Sequence, residues 1–313
     1  MTIADIVKFK NLIDSMSVDP PAVDVIRHFE SLVHYVSSNE IRLESDIHNL
    51  MKDFGFVKKT IGSFGQSFAN VSQSLQHMIE QQDQPLYEQS ERLYRDILPT
   101  ETVSQILNRK LPIDHDSDNI MRDRVKLRGD WRVPGMIIRP GLESHVDDMV
   151  ALDPLYLVDS NMELLEPAKQ RYLPEYQRRL RLYTINDYAE KPIFKKLPAN
   201  QFGLIFAYNY FNFKPLSVIS NYLEEMFQLL RPGGVLTFTY NNCDQWHCVA
   251  FAEKDQMCYT PGNKLKKIAQ DLGYIVKFEY HGLLDAKWIE LQKPGELTSI
   301  KGGQSLAKIV AGS

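Results

Sequence analysis

The sequence predicts an α/β protein: a mostly parallel seven-stranded sheet with an antiparallel last strand, preceded by an all-α segment. Three observations lead there. Seven short apolar runs in the second half of the 313 residues alternate with helix-like stretches, which suits right-handed crossovers onto a parallel sheet. The first 108 residues carry helical periodicity and almost no strand signal. Only HGLLDA joins the last two runs, a link short enough for an antiparallel hairpin and too short for a crossover.

Composition sets the outer bounds. With 43% apolar and 24% charged residues the chain is globular in type, not disordered or collagen-like. Lys plus Arg number 36 against 40 Asp plus Glu, a net charge of -4, too mild to announce a partner. Arg178, Arg179 and Arg181, and the acid-interrupted group Arg122, Arg124, Lys126 and Arg128, read as solvated faces, so no nucleic-acid partner is expected. No apolar run approaches the roughly 18 residues of a spanning helix, and charges break up the first 20 residues. The expectation is a soluble, cytoplasmic protein with no membrane partner. Cys243, Cys248 and Cys258 are the three cysteines, too few and too clustered for a disulfide framework. Their spacing around CDQWHC lacks the paired ligands of a zinc site, so no metal is assigned and buried thiols are expected.

The elements follow in chain order. Asp19 before Pro20 and Pro21 gives a helix start, a cap followed by first-turn prolines. Ile47, Leu50, Phe54, Val57, Ile61, Phe64, Phe68, Val71, Leu75 and Met78 alternate spacings of three and four, an a/d heptad seam. Such a helix would be about 50 Å long, more than a small domain usually covers. It either packs in a local bundle or self-associates as a coiled coil through the 47–78 helix, while Gly55, Gly62 and Gly65 leave a kink or hairpin near Gly62 open. The seam stops before Pro85. These features define a helical, oligomerising domain over 1–108 and a charged linker over 109–130. The sheet domain with a C-terminal extension then spans 131–313. Its strands are read at GMII (135–138), LYLV (155–158), RLYTI (181–185), GLIFAY (203–208), GVLTFTY (234–240), YIVKFEY (274–280) and KWIELQ (287–292).

Ligands of such sheets bind beyond the carboxyl ends of the strands, so the residues after each run carry the functional reading. Asp159 follows the second run, Asn186 and Asp187 the third, and Asn209 the fourth. A carboxylate at the Asp159 position accepts both hydrogen bonds of a ribose diol. Asp159 could equally cap the helix after it, and Asp187 could be an ordinary turn residue.

Over about Trp131 to Gln292 the chain resembles a class I S-adenosylmethionine-dependent methyltransferase, a Rossmann-like family. The stretch VDSNMELLEPAK looks like the second motif. NYLEEMFQLLRPGGVLTFTY looks like the helix and turn into strand five, and CYTPGNKLKKIAQDLGYIV like the helix before strand six. The first motif departs from the pattern. Where the family places an acidic residue and several glycines, this chain reads MIIRPGLESHVDD, with Gly141 as its one glycine and Ile137 at the acidic position. Either Glu143 or the pair Asp147 and Asp148 compensates, or cofactor binding is weak or lost.

The resemblance implies S-adenosyl-L-methionine as cofactor. Asp159 would bind its ribose, Gly141 would line its amino-acid end and Asp187 would accept from the adenine amino group, with Ser160, Asn186 and Tyr208 beside them. For the acceptor, the end of strand four (AYNYFN) lacks the Asp/Asn-Pro-Pro-aromatic sequence of DNA-amine enzymes, and no Pro-Cys pair of the cytosine type occurs. Asn209 and Asn212 are poor ligands for a hard cation. What remains is a wall of Tyr208, Asn209 and Tyr210 facing Tyr240, Asn241, Asn242 and His247. His247 is the candidate general base for an oxygen acceptor, with Tyr210 and Asn241 as its neighbours in the catalytic set. Two functions are carried forward. One is methyl transfer to an unidentified small molecule, glycan or protein, O-methylation favoured. The other is a catalytically inactive scaffold of the same fold that acts, as a homo-oligomer, through its helical domain.

Overall fold

A computed structural model of the chain describes residues 2–17, 59, 63, 65–67, 69–98, 101, 103–108, 115–140, 145–185, 191–280 and 287–296. It divides into two compact units, Met1–Gln84 and Pro85–Ser313.

In the first unit, α1 (Ile3–Ser17) begins with a reciprocal cap in which Asp5 N–H donates to Thr2 Oγ1 (3.2 Å) and Thr2 N–H to the Asp5 carboxylate (2.9 Å). Its buried stripe is Ile3, Ala4, Ile6, Val7 and Ile13, the three-and-four spacing of one helix face. Helix α2 (69–82) contributes Ser72, whose hydroxyl donates to Asp14 at 2.6 Å. Of the heptad seam, Val71, Leu75 and Met78 fall on α2, and Val71 and Met78 are exposed. The positions from Ile47 to Phe68 lie outside the described residues.

The second unit holds the sheet. All seven predicted runs form strands: β1 (Gly135–Ile138), β2 (Leu155–Asp159), β3 (Leu180–Thr184), β4 (Phe202–Ala207), β5 (Leu230–Tyr240), β6 (Ile275–Tyr280) and β7 (Lys287–Gln292). Their order is β3-β2-β1-β4-β5-β7-β6. The first five pair in parallel, and β7 runs antiparallel between β5 and β6. Every residue of β1 and β4 is buried, because both faces of a parallel sheet are covered and no polar alternation is required. The alternation shows instead in the two cores. Met136, Ile138, Ile205 and Ala207 belong to one, and Ile137, Leu204 and Phe206 to the other. Between strands lie α7 (Met162–Gln170), α9 (Leu216–Leu229), α10 (Trp246–Glu253) and α11 (Gly262–Asp271). Within β5, where its register against β4 shifts, a Cβ on Gly234 would stand 2.7 Å from the Phe202 carbonyl oxygen, so the close approach of the two strands needs glycine there.

The stretch 109–130 lies within the second unit. Much of that stretch is helix α5 (His115–Leu127), held to the sheet by charge. Glu290 on β7 is buried and accepts from Arg124 (3.0 and 3.1 Å) and Arg128 (2.6 Å), while Asp148 pairs with Arg122 (2.9 Å) and Lys126 (3.3 Å). Arg124 also lies 4.3 Å from the Phe278 ring centroid, and Trp288 donates to Ser117 at 3.3 Å. The basic group expected to be solvated therefore neutralises two buried carboxylates. Sequence periodicity is weak there because ion pairs, not apolar contacts, fix much of the helix.

Candidate functional site

A cleft of about 860 Å³ opens at the carboxyl ends of β2 and β3, within the span of small-molecule sites in general. Its polar lining includes Arg139, Asp159, Ser160, Thr184, Lys195 and Lys196. Met162, Leu182, Ile185 and Ile193 supply apolar surface.

Asp159 is the last residue of β2 and is fully shielded from solvent. One carboxylate oxygen accepts from Asn161 N–H (3.0 Å) and Ser160 Oγ (3.3 Å), and the other from Arg139 Nε (3.2 Å). The helix cap is Asn161, whose side chain accepts from Glu163 N–H at 2.9 Å, so Asp159 is left to the cleft.

Arg139 is the first residue beyond β1. Its backbone is left-handed (φ 53°), and its N–H donates to the Val158 carbonyl at 2.7 Å. Its guanidinium lies 4.8 Å from the centroid of Tyr210, a ring that also has the Lys214 ammonium at 4.6 Å. Ile137, the residue placed at the acidic position of the first motif, is a core residue of β1. The strand end itself presents a cation.

The ends of β4 and β5 form a different kind of structure. Asn209, also left-handed (φ 51°), donates its N–H to Thr239 Oγ1 (2.8 Å), and Thr239 donates to Asn212 Oδ1 (2.9 Å). The Asn241 amide donates to the carbonyls of Cys248 (2.9 Å) and Cys258 (3.0 Å). Asn241 and Tyr210 are buried, and the Tyr210 hydroxyl pairs with that of Tyr222 at 2.8 Å. The Tyr208 and His145 rings lie 4.2 Å apart, tilted by 39°. None of these residues is on the cleft wall.

His247 stands in the first turn of α10, half-buried, and its Nε2 has no hydrogen-bond partner among the described residues. Burial and the nearby Lys287 charge push its pKa down to about 4. It is neutral at pH 7 and a weaker proton acceptor than an ordinary imidazole. Of the other expected cofactor residues, Ser160 is on the cleft wall, whereas Gly141, Asn186 and Asp187 lie outside the described residues. The three cysteines are free and buried, with burial raising Cys243 well above its ordinary value and Cys248 to about 12. No cluster of metal-ligating side chains occurs among the described residues.

Sequence reasoning missed Arg139 and the exposed pair Lys195 and Lys196. The Arg-Pro dipeptide directly after a buried strand was the available signal for the first. Nothing in the sequence ties the lysines, eleven and twelve residues beyond the end of β3, to this cleft.

The strand order and antiparallel β7 are those of the class I methyltransferase fold. No protein-family profile matches the sequence, and no curated protein sequence does. Among solved structures, the chain is similar to a possible exported protein from Bordetella parapertussis, with 14% identity over 67% of this chain and 79% of that one (TM-score 0.47). It is also similar to the N-methyltransferase NodS from Bradyrhizobium japonicum WM9 in complex with S-adenosyl-L-homocysteine, with 14% identity over 67% and 98% of the chains (TM-score 0.43). A SAM-dependent methyltransferase from Aquifex aeolicus aligns at 12% identity over 66% and 97% (TM-score 0.41). At these values no activity passes from them to this chain.

Proposed function

We propose that the chain binds S-adenosyl-L-methionine in the cleft at the ends of β2 and β3 and transfers its methyl group to an acceptor. The observation that carries the reading is Asp159, a strand-end carboxylate on the wall of a roomy, half-apolar cleft. The donor set fits the adenosyl part. Asp159 is the acceptor a ribose diol needs, Ser160 and Thr184 add hydroxyls, and Met162, Leu182, Ile185 and Ile193 offer an apolar wall for a flat base.

The chemistry that the cofactor supplies when bound is a methyl group activated on a sulfonium. The work left to this chain is orientation and exclusion of water, the principal demands of an in-line displacement. Asp159 is positioned for this by the β2 ladder and by two hydrogen bonds from its own loop. The acceptor class is a small molecule, glycan or protein, and O-methylation rests on His247 as base. With its pKa near 4, that base suits an acceptor oxygen that is itself acidic. Gly141, Asn186 and Asp187 complete the proposed cofactor set, and a homo-oligomer through the 47–78 helix is part of the same reading, supported by the exposure of Val71 and Met78. No described helix is long and apolar enough to cross a membrane, and the free buried thiols support a cytoplasmic setting.

A second reading, a catalytically silent protein of this fold acting through its helical unit, is favoured by the Arg139 contact to Asp159. Calorimetric titration of the full chain with S-adenosyl-L-homocysteine separates the two. Binding that Asp159→Ala removes supports the enzyme. Absence of binding at millimolar ligand supports the scaffold.

A further inference from the structure

We infer that Leu98 and Ile106 are ligand-binding residues: from the chain ahead of the sheet they supply the second apolar wall of the cleft, against which one face of the base lies. The inference rests on the adenosyl-binding reading above and names a part of that site outside the sheet.

A planar base has two faces to cover. Met162, Leu182, Ile185 and Ile193 all come from the chain between the end of β2 and the start of β4, and they offer it one wall. Met162 is 44% exposed, an apolar side chain that the protein itself leaves largely uncovered at the mouth of the cleft. Leu98 and Ile106 line the same cleft from a segment that precedes β1. The amino-acid end of the ligand carries two charges and gains nothing from aliphatic neighbours, whereas a heteroaromatic base buries its face against them.

The segment reaches the cleft from a fixed base. Helix α3 (Gln84–Arg92) is fastened to the chain beyond β5: the Gln89 amide donates to the carbonyls of Ala252 (3.1 Å) and Glu253 (3.3 Å), and Tyr259 N–H donates to Ser90 Oγ at 2.7 Å. A π-helical turn over Leu93–Ile97 follows, closed by Leu98 N–H on the Leu93 carbonyl. Such wide turns interrupt the helical repeat and are frequent at functional sites. Leu93, Tyr94 and Leu98 belong to the core that also holds Leu180, so Leu98 stands on the cleft wall at only 8% exposure. Helix α4 (Val103–Asn108) then carries Ile106, half-buried on the same wall.

The cleft is therefore assembled from two stretches of chain. The strand ends bring the ribose acceptor and one apolar wall, and the chain before α5 brings the other. Ile106 is the side chain to vary, because Leu98 is also a core residue whose truncation would cost stability as well as affinity.

The test is titration of the full chain, wild type and with Ile106→Ala, Ile106→Asp or Ile106→Leu, with S-adenosyl-L-homocysteine, with Asp159→Ala as reference and urea midpoints to show that each variant is folded. Ile106→Ala should bind about fourfold to fifteenfold more weakly, the scale of one or two buried methylene groups. Ile106→Asp, which sets a charge against the face of the base, should lose roughly thirtyfold or more. Ile106→Leu keeps the wall and should stay within about twofold of wild type, a rescue that tracks apolar volume and not the identity of the residue. If Ile106→Asp does not fold, Ile106→Ala decides. Affinity unchanged in folded Ile106→Ala overturns the wall, while the adenosyl-binding reading stands if Asp159→Ala still abolishes binding. If the wild type does not bind at millimolar ligand, both fall.

Discussion

The two ends of the parallel sheet are built on opposite principles. Beyond β1 and β2, a carboxylate and a guanidinium meet at the wall of an open cleft through one long contact. Beyond β4 and β5, neutral groups lock one another in place: Asn209 to Thr239, Thr239 to Asn212, and Asn241 to two carbonyls. The neutral end commits these donors to one another and to the backbone. Polar residues at strand ends thus mark a candidate ligand site only where they also line a cleft.

This contrast is open to direct attack. Its largest expected effect is on stability, from Asn241→Ala, which strips the Cys248 and Cys258 carbonyls of their side-chain donor in a buried setting. A loss of about 3 kcal/mol in urea unfolding is expected, with ligand affinity unchanged in the folded fraction. A selective loss of affinity would make Asn241 part of the site. Next, Asp159→Ala should weaken homocysteine-adduct binding by about thirtyfold or more, the scale of hydrogen bonds to a charged group. Thr239→Val should cost about 2 kcal/mol by removing both hydrogen bonds of its hydroxyl, with no change in affinity.

A further effect lies in pH dependence. The ordinary histidine value is 6.5, and the folded value at His247 is about 4, so the unfolded chain binds more protons between them. Folding stability from this group is present above pH 6.5 and is lost as pH falls toward 4. His247→Gln should flatten that part of the stability–pH curve, measured by denaturant midpoints at pH 7, 6, 5 and 4. An unchanged slope would show that the ring is solvated in the folded state.

Much of the sheet was legible in the sequence because a buried parallel strand is an uninterrupted apolar run, and GMII, FGLIFA and their neighbours have no competing reading. The short HGLLDA link similarly limited β6 and β7 to an antiparallel pair. Helix α5 was misread as linker because its anchors are arginines paired with Glu290 and Asp148, residues distant in sequence whose pairing no local pattern reveals. Asp159 was readable from its place after β2. Tyr210 and Asn241 were read as site residues from the same logic; their bonds to Tyr222 and to backbone carbonyls are long-range pairings that position alone does not reveal. Arg139 escaped because the residue directly after β1 was read only as part of a first motif poor in glycine, with no role assigned to its charge.

The most direct test of this account is a crystal structure of the full chain grown with S-adenosyl-L-homocysteine. The account predicts the ligand's ribose hydroxyls against the Asp159 carboxylate, in the cleft bounded by Thr184 and Ile185. A ligand bound elsewhere on the chain, or a ribose that makes no contact with Asp159, would contradict it.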